Sequence, residues 1–286
     1  MYPSPRALLQ RHDLHAKKSW GQNFLADPAV LEDIAALSAP AEGEAVVELG
    51  AGLGHLTARL LGRGARVVAV ERDRDMARVL RAELGERITL LEADAARLDW
   101  ADLARRLGTP DEPGGPRRLA VAGNLPYHLS SPILFSLLEA APCLRRAVLL
   151  LQREVAERLA AVPGAREAGL LSVLLQRVAE VELARRVPAG AFWPPPRVES
   201  AVLRARFRAA AEPVLDEARF GRLVKAGFGQ RRKTLRNALE AARIAPPSRL
   251  LGAMAAAGID PGRRGETLSV AEWAALERAL GPAQPG

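Results

Sequence analysis

A glycine-rich loop after a short apolar strand constrains the fold of this 286-residue chain more than any other feature. Residues 45–49 (AVVEL) predict a buried strand, residues 50–54 (GAGLG) a loop and residues 55–61 (HLTARLL) the following helix. Glycines such as Gly50 and Gly52 let the backbone approach a ligand closely, and a helix start offers N–H groups without helical partners. The spacing is G-x-G-x-G, whereas pyrophosphate-binding dinucleotide folds use G-x-G-x-x-G. The pattern therefore predicts an α/β fold and favours S-adenosylmethionine over NAD.

Three further predicted strands end in acidic or amide residues. Residues 66–70 lead to Glu71, residues 88–91 run on to Asp94, and residues 119–121 are followed by Gly123 and Asn124. Open α/β sheets bind ligands at the carboxyl ends of their strands, and an acid ~20 residues after the glycine loop meets ribose hydroxyls in such folds. Taken alone, Glu71 is equally consistent with a solvated helix start and Asp94 with a helix N-cap. Together with the glycine loop, they favour a cofactor site.

Residues 124–127 (NLPY) combine an amide, a backbone carbonyl and an aromatic face. The amino group of adenine is a weak nucleophile because its lone pair is delocalised into the ring. The Asn124 side-chain oxygen and the Leu125 carbonyl can accept its two protons and localise that pair. Pro126 stiffens the turn, and Tyr127 offers a surface on which an unstacked base can lie. The alternative is an ordinary strand-to-helix turn, so the tetrapeptide is a hypothesis about chemistry.

Six stretches together resemble the ribosomal RNA adenine dimethyltransferases, specifically the bacterial small-subunit (16S) enzymes. They are GQNFL at 21–25, VELGAGLG at 47–54, GNLPY at 123–127, QREVAERL at 152–159, FWPPPRVESAV at 192–202 and FGQRRKTLRN at 228–237. The sequence departs from the usual family pattern at Ala51, His128 and Glu199. None of these departures removes a group that the chemistry needs.

The resemblance implies a Rossmann-like class I methyltransferase fold, with a seven-stranded sheet and a small C-terminal all-helical domain. Strands at 177–187 and 200–207 would complete the sheet. It implies contacts with S-adenosylmethionine for Asn23, Leu25, Gly50, Glu71, Asp94 and Asn124, and it places Phe192 over the target base opposite Tyr127. The expected organisation is an N-terminal arm (1–26), a methyltransferase domain (27–212) in which Asp27 and Pro28 begin the first helix, and a helical RNA-binding domain (213–286).

Positive charge indicates a phosphate-rich partner. The formal net charge is +8, and residues 213–286 hold 12 basic and 7 acidic residues, so +5 of the +8 lies there. Only four basic residues are lysines, and they fall in two clusters. Expected RNA contacts are Lys17, Lys18, Lys225, Arg231, Arg232, Lys233 and Arg236. The alternative is that these charges form an ordinary solvated surface.

The cysteine and histidine content and the lengths of the apolar stretches exclude several classes of site and location. A single cysteine, Cys143, excludes an internal disulfide, and four scattered histidines predict no metal site. No stretch approaches the ~20 apolar residues of a membrane span, so we expect a cytoplasmic protein. We also expect it to be a monomer.

By resemblance, the substrate is a pair of adjacent adenosines in a hairpin loop near the 3′ end of 16S ribosomal RNA, within the small subunit or its precursor. Dimethylation at N6 would accompany a role in small-subunit biogenesis. The alternatives are an assembly checkpoint factor with methylation secondary, an erythromycin-resistance type enzyme acting on large-subunit RNA, and a DNA adenine methyltransferase.

Overall fold

The computed structural model describes residues 2–17, 20–39, 41–110, 115–126, 130–230 and 232–282. Lys18, Tyr127, His128 and Arg231, which carry expectations from the sequence, lie outside these residues. The chain divides into two compact units. The first comprises Met1–Glu157 and Glu180–Arg208, and the second comprises Arg158–Ala179 and Ala209–Gly286.

The first unit is built on a sheet in which most strands run parallel. In chain order the strands are β1 (Phe24–Leu25), β2 (Ala45–Leu49), β3 (Arg66–Val70), β4 (Thr89–Leu91), β5 (Thr109–Pro110), β6 (Arg117–Asn124), β7 (Leu144–Gln152), β8 (Ala179–Val187), β9 (Phe192–Trp193) and β10 (Ser200–Phe207). Seven of them form a continuous sheet in the order β4-β3-β2-β6-β7-β10-β8, while the two-residue β5 pairs with β6 and β1 pairs with β9. The expected seven-stranded methyltransferase sheet is confirmed.

Strand β2 lies at the point where the strand order reverses. It pairs in parallel with β3 on one side and with β6 on the other, and all five of its residues are buried. A strand covered on both faces is nearly continuously apolar, which explains why β2 does not alternate, and its one polar residue is the buried Glu48. Because β4, β3, β2, β6 and β7 run parallel, the carboxyl ends of these strands share one edge of the sheet. Ligands of open α/β sheets bind at such a reversal.

Seven helices surround these strands in the chain: α1 (Pro5–Arg11), α2 (Pro28–Ser38), α3 (His55–Gly62), α4 (Arg74–Leu84), α5 (Trp100–Leu107), α6 (Ser130–Glu139) and α7 (Arg153–Ala160). Helix α2 begins as the sequence predicts, because the Asp27 side chain accepts the backbone N–H groups of Ala29 at 2.8 Å and Val30 at 3.1 Å. Pro28 occupies the first turn, where its missing N–H costs nothing. The helix packs Val30 and Ile34 into the core beneath the sheet.

The second unit is helical, as expected for the C-terminal part. Its helices are α8 (Leu170–Val178), α9 (Glu217–Gly229), α10 (Leu235–Ala241), α11 (Pro247–Ala256) and α12 (Val270–Ala279). They enclose the fully buried Trp273. A Cβ on Gly227 would lie 2.4 Å from Cη2 of Trp273, so only glycine lets α9 approach this ring. The Arg219 guanidinium and the Glu277 carboxylate form a buried ion pair in the same unit.

One boundary differs from the sequence expectation. Residues 158–179 fall within the span assigned to the methyltransferase domain, but they cluster with the C-terminal helices. Val173 of α8 packs in the same core as Phe220 and Trp273. Helix α8 packs an apolar face against the C-terminal helices. Strands β8 to β10 separate α8 from these helices along the chain, so the sequence does not reveal the association.

Two properties of the described ranges bear on what they can bind or cross. None of their helices is both long and apolar enough to cross a membrane. Nor do these ranges bring together three or more His, Cys, Asp or Glu side chains in a group that could hold a metal ion.

Candidate cofactor and base site

The glycine loop has the backbone that its sequence predicts. Gly50, Gly52 and Gly54 have φ of +69°, +56° and +82°, a region that side chains disfavour. A Cβ on Gly52 would lie 3.4 Å from the Phe24 ring. A Cβ on Gly50 would point to the Asn124 carbonyl oxygen at 3.7 Å. The loop therefore leaves a backbone-lined cradle between the ends of β2 and β6, which fits a closely held ligand.

Glu71 connects the end of β3 to this loop. Its Oε2 accepts the Gly52 N–H at 2.8 Å and its Oε1 accepts the Asp73 N–H at 2.7 Å. Burial raises the pKa of Glu71, while the backbone N–H groups of Asp73 and Gly52 act in the opposite direction. Each carboxylate oxygen has a second lone pair. Glu71 can therefore hold the loop and still accept hydrogen bonds from a ligand hydroxyl.

A cavity of about 320 Å³ opens beside Glu71. It is lined by Trp20, Gly50, Val70, Glu71, Arg72, Ala93, Asp94, Ala95, Pro126 and Ile133. The Asp94 side chain accepts the Ala96 N–H at 3.0 Å, so the N-cap interpretation of this residue is correct. Its other oxygen lies 3.3 Å from Nη1 of Arg72. Asp94 thus both begins a short 3₁₀ turn and lines the cavity, and the two interpretations do not compete.

A second, smaller hollow adjoins the first. Its lining includes Asn23, Gly50, Gly52, Glu71, Asn124, Leu125 and Pro126. The two hollows share Trp20, Gly50, Glu71 and Pro126, which makes them parts of one site. Leu25 is the exception among the expected cofactor residues, because its side chain is buried in the core and lines neither hollow.

The orientation of Asn124 is fixed by the N-terminal arm. Its Nδ2 donates to the Asn23 carbonyl at 3.0 Å, across 101 residues of sequence. Since the amide nitrogen is the donor in this contact, Oδ1 is the atom of the amide that can accept a proton from a substrate. The next residue continues the sheet, because the Leu125 N–H donates to the Leu150 carbonyl at 3.1 Å. The start of the tetrapeptide is therefore held rigidly.

Phe192 keeps its base-stacking role as a prediction, because its expected partner Tyr127 lies outside the described residues. It pairs with Leu25 across β1 and β9, is 4% exposed, and packs in the core of the first unit. It is absent from the lining of both hollows. Leu25 lies opposite Phe192, and both side chains pack in the same core. Phe192 therefore supports β1 and the N-terminal arm. The neighbouring Trp193 is 37% exposed.

Lys17 also differs from its expected role in RNA binding. Its Nζ lies 2.7 Å from a carboxylate oxygen of Asp73 and 2.7 Å from one of Asp75. The hydrogen bond to Asp73 is the main reason that the pKa of Lys17 is raised. Two carboxylates compensate this charge, so Lys17 anchors the arm to the start of α4 instead of presenting a free cation.

The basic residues of the second unit are differently placed. Lys225 on α9 and Arg232 and Lys233 in the turn before α10 are exposed, and no other residue of the described part of the chain forms an ion pair with them. Arg236 lies 2.8 Å from Glu240 one turn later on α10. An exposed pair of this kind is worth little, so Arg236 can exchange its partner for a phosphate.

Trp20 belongs to the site although the sequence analysis passed over it. It lines both hollows and is 40% exposed. The available signal was its position directly before residues 21–25, a stretch that carries the expected cofactor residues Asn23 and Leu25.

This fold and site define a class I methyltransferase with an α/β sheet. The structure is similar to the crystal structure of the 23S rRNA methyltransferase ErmE, with a TM-score of 0.65 and 28% identity, covering 91% of this chain and all of that one. It also resembles in fold a dimethyladenosine transferase from Plasmodium falciparum, with a TM-score of 0.68 and 22% identity over 88% of this chain and 95% of that one.

A family model described as "Ribosomal RNA adenine dimethylase" matches residues 13–280. The chain is 73% identical over 280 residues to the ribosomal RNA small subunit methyltransferase A of Anaeromyxobacter sp. (strain K), covering 98% of this chain and 99% of that protein. It is 53% identical over 285 residues to the protein of the same name from Myxococcus xanthus (strain DK1622), with 99% and 97% coverage. The chain belongs to the ribosomal RNA adenine dimethylase family and is an S-adenosylmethionine-dependent methyltransferase.

Proposed function

We propose that the protein dimethylates N6 of two adjacent adenosines in a hairpin loop near the 3′ end of 16S ribosomal RNA, in the small subunit or its precursor. The substrate class follows from the family and from the printed names of relatives 73% identical to this chain. We further propose that it acts as a cytoplasmic monomer and that the modification accompanies small-subunit biogenesis.

The observation that carries this proposal is the contact between Asn124 and Asn23. With Nδ2 engaged by the Asn23 carbonyl, the Asn124 Oδ1 is oriented to accept a proton of the adenine amine. The Leu125 carbonyl would accept the second proton. Hydrogen bonds from both N–H groups to these oxygens localise the nitrogen lone pair. Without them the pair is delocalised into the ring and is a weak nucleophile. Each transfer replaces one N–H of the amine with N–CH3, and the displaced proton is released to water. One N–H remains after the first transfer, so a single acceptor still positions the amine for the second methylation.

The residues of the site fit the cofactor. Positive φ at Gly50 and Gly52 makes the cradle, and the buried Glu71 offers acceptors for ribose hydroxyls. Asp94 would accept from the adenine amine of the cofactor, and Asn23 and the backbone near Leu25 would close the remaining side. When bound, S-adenosylmethionine supplies an electrophilic methyl group on a sulfonium. The protein contributes by holding the amine in line with that group, since positioning is the main source of rate in such transfers.

RNA recognition is assigned to the second unit. Lys225, Arg232, Lys233 and Arg236 would contact phosphates, which position an RNA without reading its bases. Arg231 and Lys18 remain candidates for the same task. Tyr127 would stack on the flipped adenine, because a base must leave its stack before its amine can reach the cofactor.

Incubation of the protein with unmethylated small subunits and isotopically labelled cofactor tests the proposal. Mass spectrometry of nuclease fragments should locate four labelled methyl groups on two adjacent adenosines near the 3′ end. Label in large-subunit RNA offered in parallel would instead support the erythromycin-resistance type of activity. Normal subunit assembly in cells that carry only Asn124→Ala would favour the checkpoint role, with methylation secondary.

A further inference from the structure

Trp20 stands at the mouth of the larger cavity between two cations. Its ring centroid lies 5.3 Å from Nζ of Lys17 and 5.6 Å from Cζ of Arg72. Both distances are within the range of cation–π attraction. Arg72 in turn lies 3.3 Å from Asp94, which lines the same cavity. The indole, the Arg72 guanidinium and the Asp94 carboxylate therefore line the cavity as neighbours.

Contacts on both sides of Trp20 hold it over the cavity. Lys17 pairs with Asp73 and Asp75 at the start of α4, and Nε2 of Gln22 donates to Asp73 at 2.8 Å. The Gln22 side chain also accepts the Lys17 N–H at 2.9 Å, which ties the two ends together. The backbone N–H of Trp20 donates to the Lys17 carbonyl at 3.0 Å. These contacts fix the segment that carries Trp20, while its indole stays 40% exposed beside the cavity.

The walls of the cavity suit a flat heterocycle. Val70, Ala93, Ala95 and Ile133 form its apolar sides. Asp94 lies at the rim, where a carboxylate can accept from an exocyclic amine. Glu71 marks the direction of the ribose. The larger cavity is thus the part of the site that suits the base of the cofactor, and Trp20 is one of its lining residues.

We propose that Trp20 stacks on the adenine of the bound cofactor, with the Arg72 guanidinium beside it, and is a cofactor-binding residue of this protein. The inference rests on the proposed placement of the cofactor at Glu71 and Asp94. An aromatic face and a guanidinium both attract a nucleobase, and both are already in place before the ligand arrives. The arm then contributes to cofactor affinity through Trp20 as well as to the orientation of Asn124 through Asn23.

Calorimetry with S-adenosylhomocysteine and with adenosine tests this assignment on the full chain. Trp20→Ala should weaken the binding of both ligands by a similar factor of about 5-fold or more, the loss expected for a base–aromatic stack. Trp20→Phe keeps a ring and should stay within about 3-fold of the wild type. Trp193→Ala is the matched control, because it removes a tryptophan of similar exposure that lines neither hollow, and its affinities should be unchanged.

Fluorescence supplies a readout that is independent of activity. Trp100 and Trp273 are buried, so the exposed indoles are Trp20 and Trp193. S-adenosylhomocysteine should change the emission of the wild type and of Trp193→Phe, and this change should be lost in Trp20→Phe.

Two results would overturn the inference: wild-type affinity in a folded Trp20→Ala variant, or a loss confined to S-adenosylhomocysteine with adenosine unaffected. The latter would place Trp20 at the amino-acid end of the ligand. A wild type that binds neither ligand would instead overturn the cofactor placement itself. A loss of RNA affinity alone would make Trp20 a contact for an RNA base and would also contradict the proposal.

Discussion

The cofactor site and the segment 225–233 of the second unit treat charge in opposite ways. Around the cofactor site, charged groups are compensated: Lys17 by Asp73 and Asp75, Arg72 by Asp94, and Glu71 by backbone N–H groups. In the second unit, the segment from Lys225 to Lys233 carries exposed cations that no described residue pairs with.

The difference follows from what each region must hold. A compensated charge fixes the position of its neighbours and responds weakly to salt when it is buried. A cation without an ion-pair partner loses no existing contact when it binds a phosphate, and its binding releases counterions from the RNA. The first unit therefore uses charge to build a rigid site for a small ligand. The second unit keeps charge available for a polyanion.

The largest expected effect is at Asn124. Asn124→Ala should reduce methyl transfer by about 10²–10³-fold, as the loss of a single aligned polar group does in other active sites. RNA affinity should persist, because the phosphate contacts lie elsewhere. Asn124→Asp keeps acceptor oxygens but cannot donate to the Asn23 carbonyl, so its activity should lie between those of Asn124→Ala and the wild type. Single-turnover assays on small subunits give these rates, and an alanine variant with more than a tenth of wild-type activity would contradict the role of Asn124.

Glu71 tests the compensated side of the comparison. Glu71→Ala removes the acceptor for Gly52 as well as for ribose hydroxyls, so the affinity for S-adenosylhomocysteine should fall by about 1–3 kcal/mol. Glu71→Gln retains one acceptor oxygen and should lose less. RNA affinity should be unchanged in both variants. Unaltered cofactor affinity in calorimetry would show that this carboxylate only supports the loop.

Gly227 tests the packing that supports the second unit. Gly227→Ala should lower the free energy of unfolding by about 1–3 kcal/mol, because its Cβ would lie 2.4 Å from Trp273. Gly221→Ala on the same helix is the matched control. Its Cβ would meet open space, so this variant should be more stable than the wild type by up to about 1 kcal/mol. Thermal unfolding of both variants measures the difference, and equal shifts in the two would mean that α9 does not need glycine at this contact.

Glu48 gives the stability of the first unit a pH dependence. Burial raises its pKa from 4.5 to about 8, partly offset by the Thr57 hydroxyl that donates to it at 2.6 Å, and Glu71 adds to the rise. Between these pH values the folded chain holds a proton that the unfolded chain has released. Stability should therefore fall as pH rises through this window, by at most about 1.4 kcal/mol per pH unit.

Glu48→Gln removes the titration and should flatten that dependence in denaturant unfolding. It should match the wild type near pH 5 and exceed it near pH 9. The exposed Glu86→Gln is the control and should leave the slope unchanged. A wild-type slope in Glu48→Gln would mean that another group carries the pH dependence.

Sequence patterns predict the local features of this molecule well. The apolar run of β2, the glycines after it and the Asp27 cap are each determined by a few neighbouring residues, and the strand ends follow from them. These features identify the edge of the sheet and most of the cofactor lining. Resemblance to a family added the helical C-terminal part.

Long-range contacts account for what the sequence could not predict. The Asn124–Asn23 bond spans 101 residues and the Lys17–Asp73 pair spans 56, and nothing local marks either. Phe192 is a motif residue, but its burial depends on Leu25 lying opposite in a two-residue pair. Residues 158–179 belong to the second unit because they pack against helices that lie far away in the sequence.

The most direct test of the contrast between the units measures two affinities on one variant. Neutralising Lys225, Arg232 and Lys233 to glutamine should reduce the slope of log RNA affinity against log salt by about 0.7–0.9 per lost contact, or about 2–3 in total. Arg243→Gln changes an exposed cation outside this segment and should leave the slope unaltered. The affinity of the triple variant for S-adenosylhomocysteine should equal that of the wild type at every salt concentration. An unchanged RNA slope in the folded triple variant, or a salt-dependent loss of cofactor affinity, would contradict the division of charge between the two units.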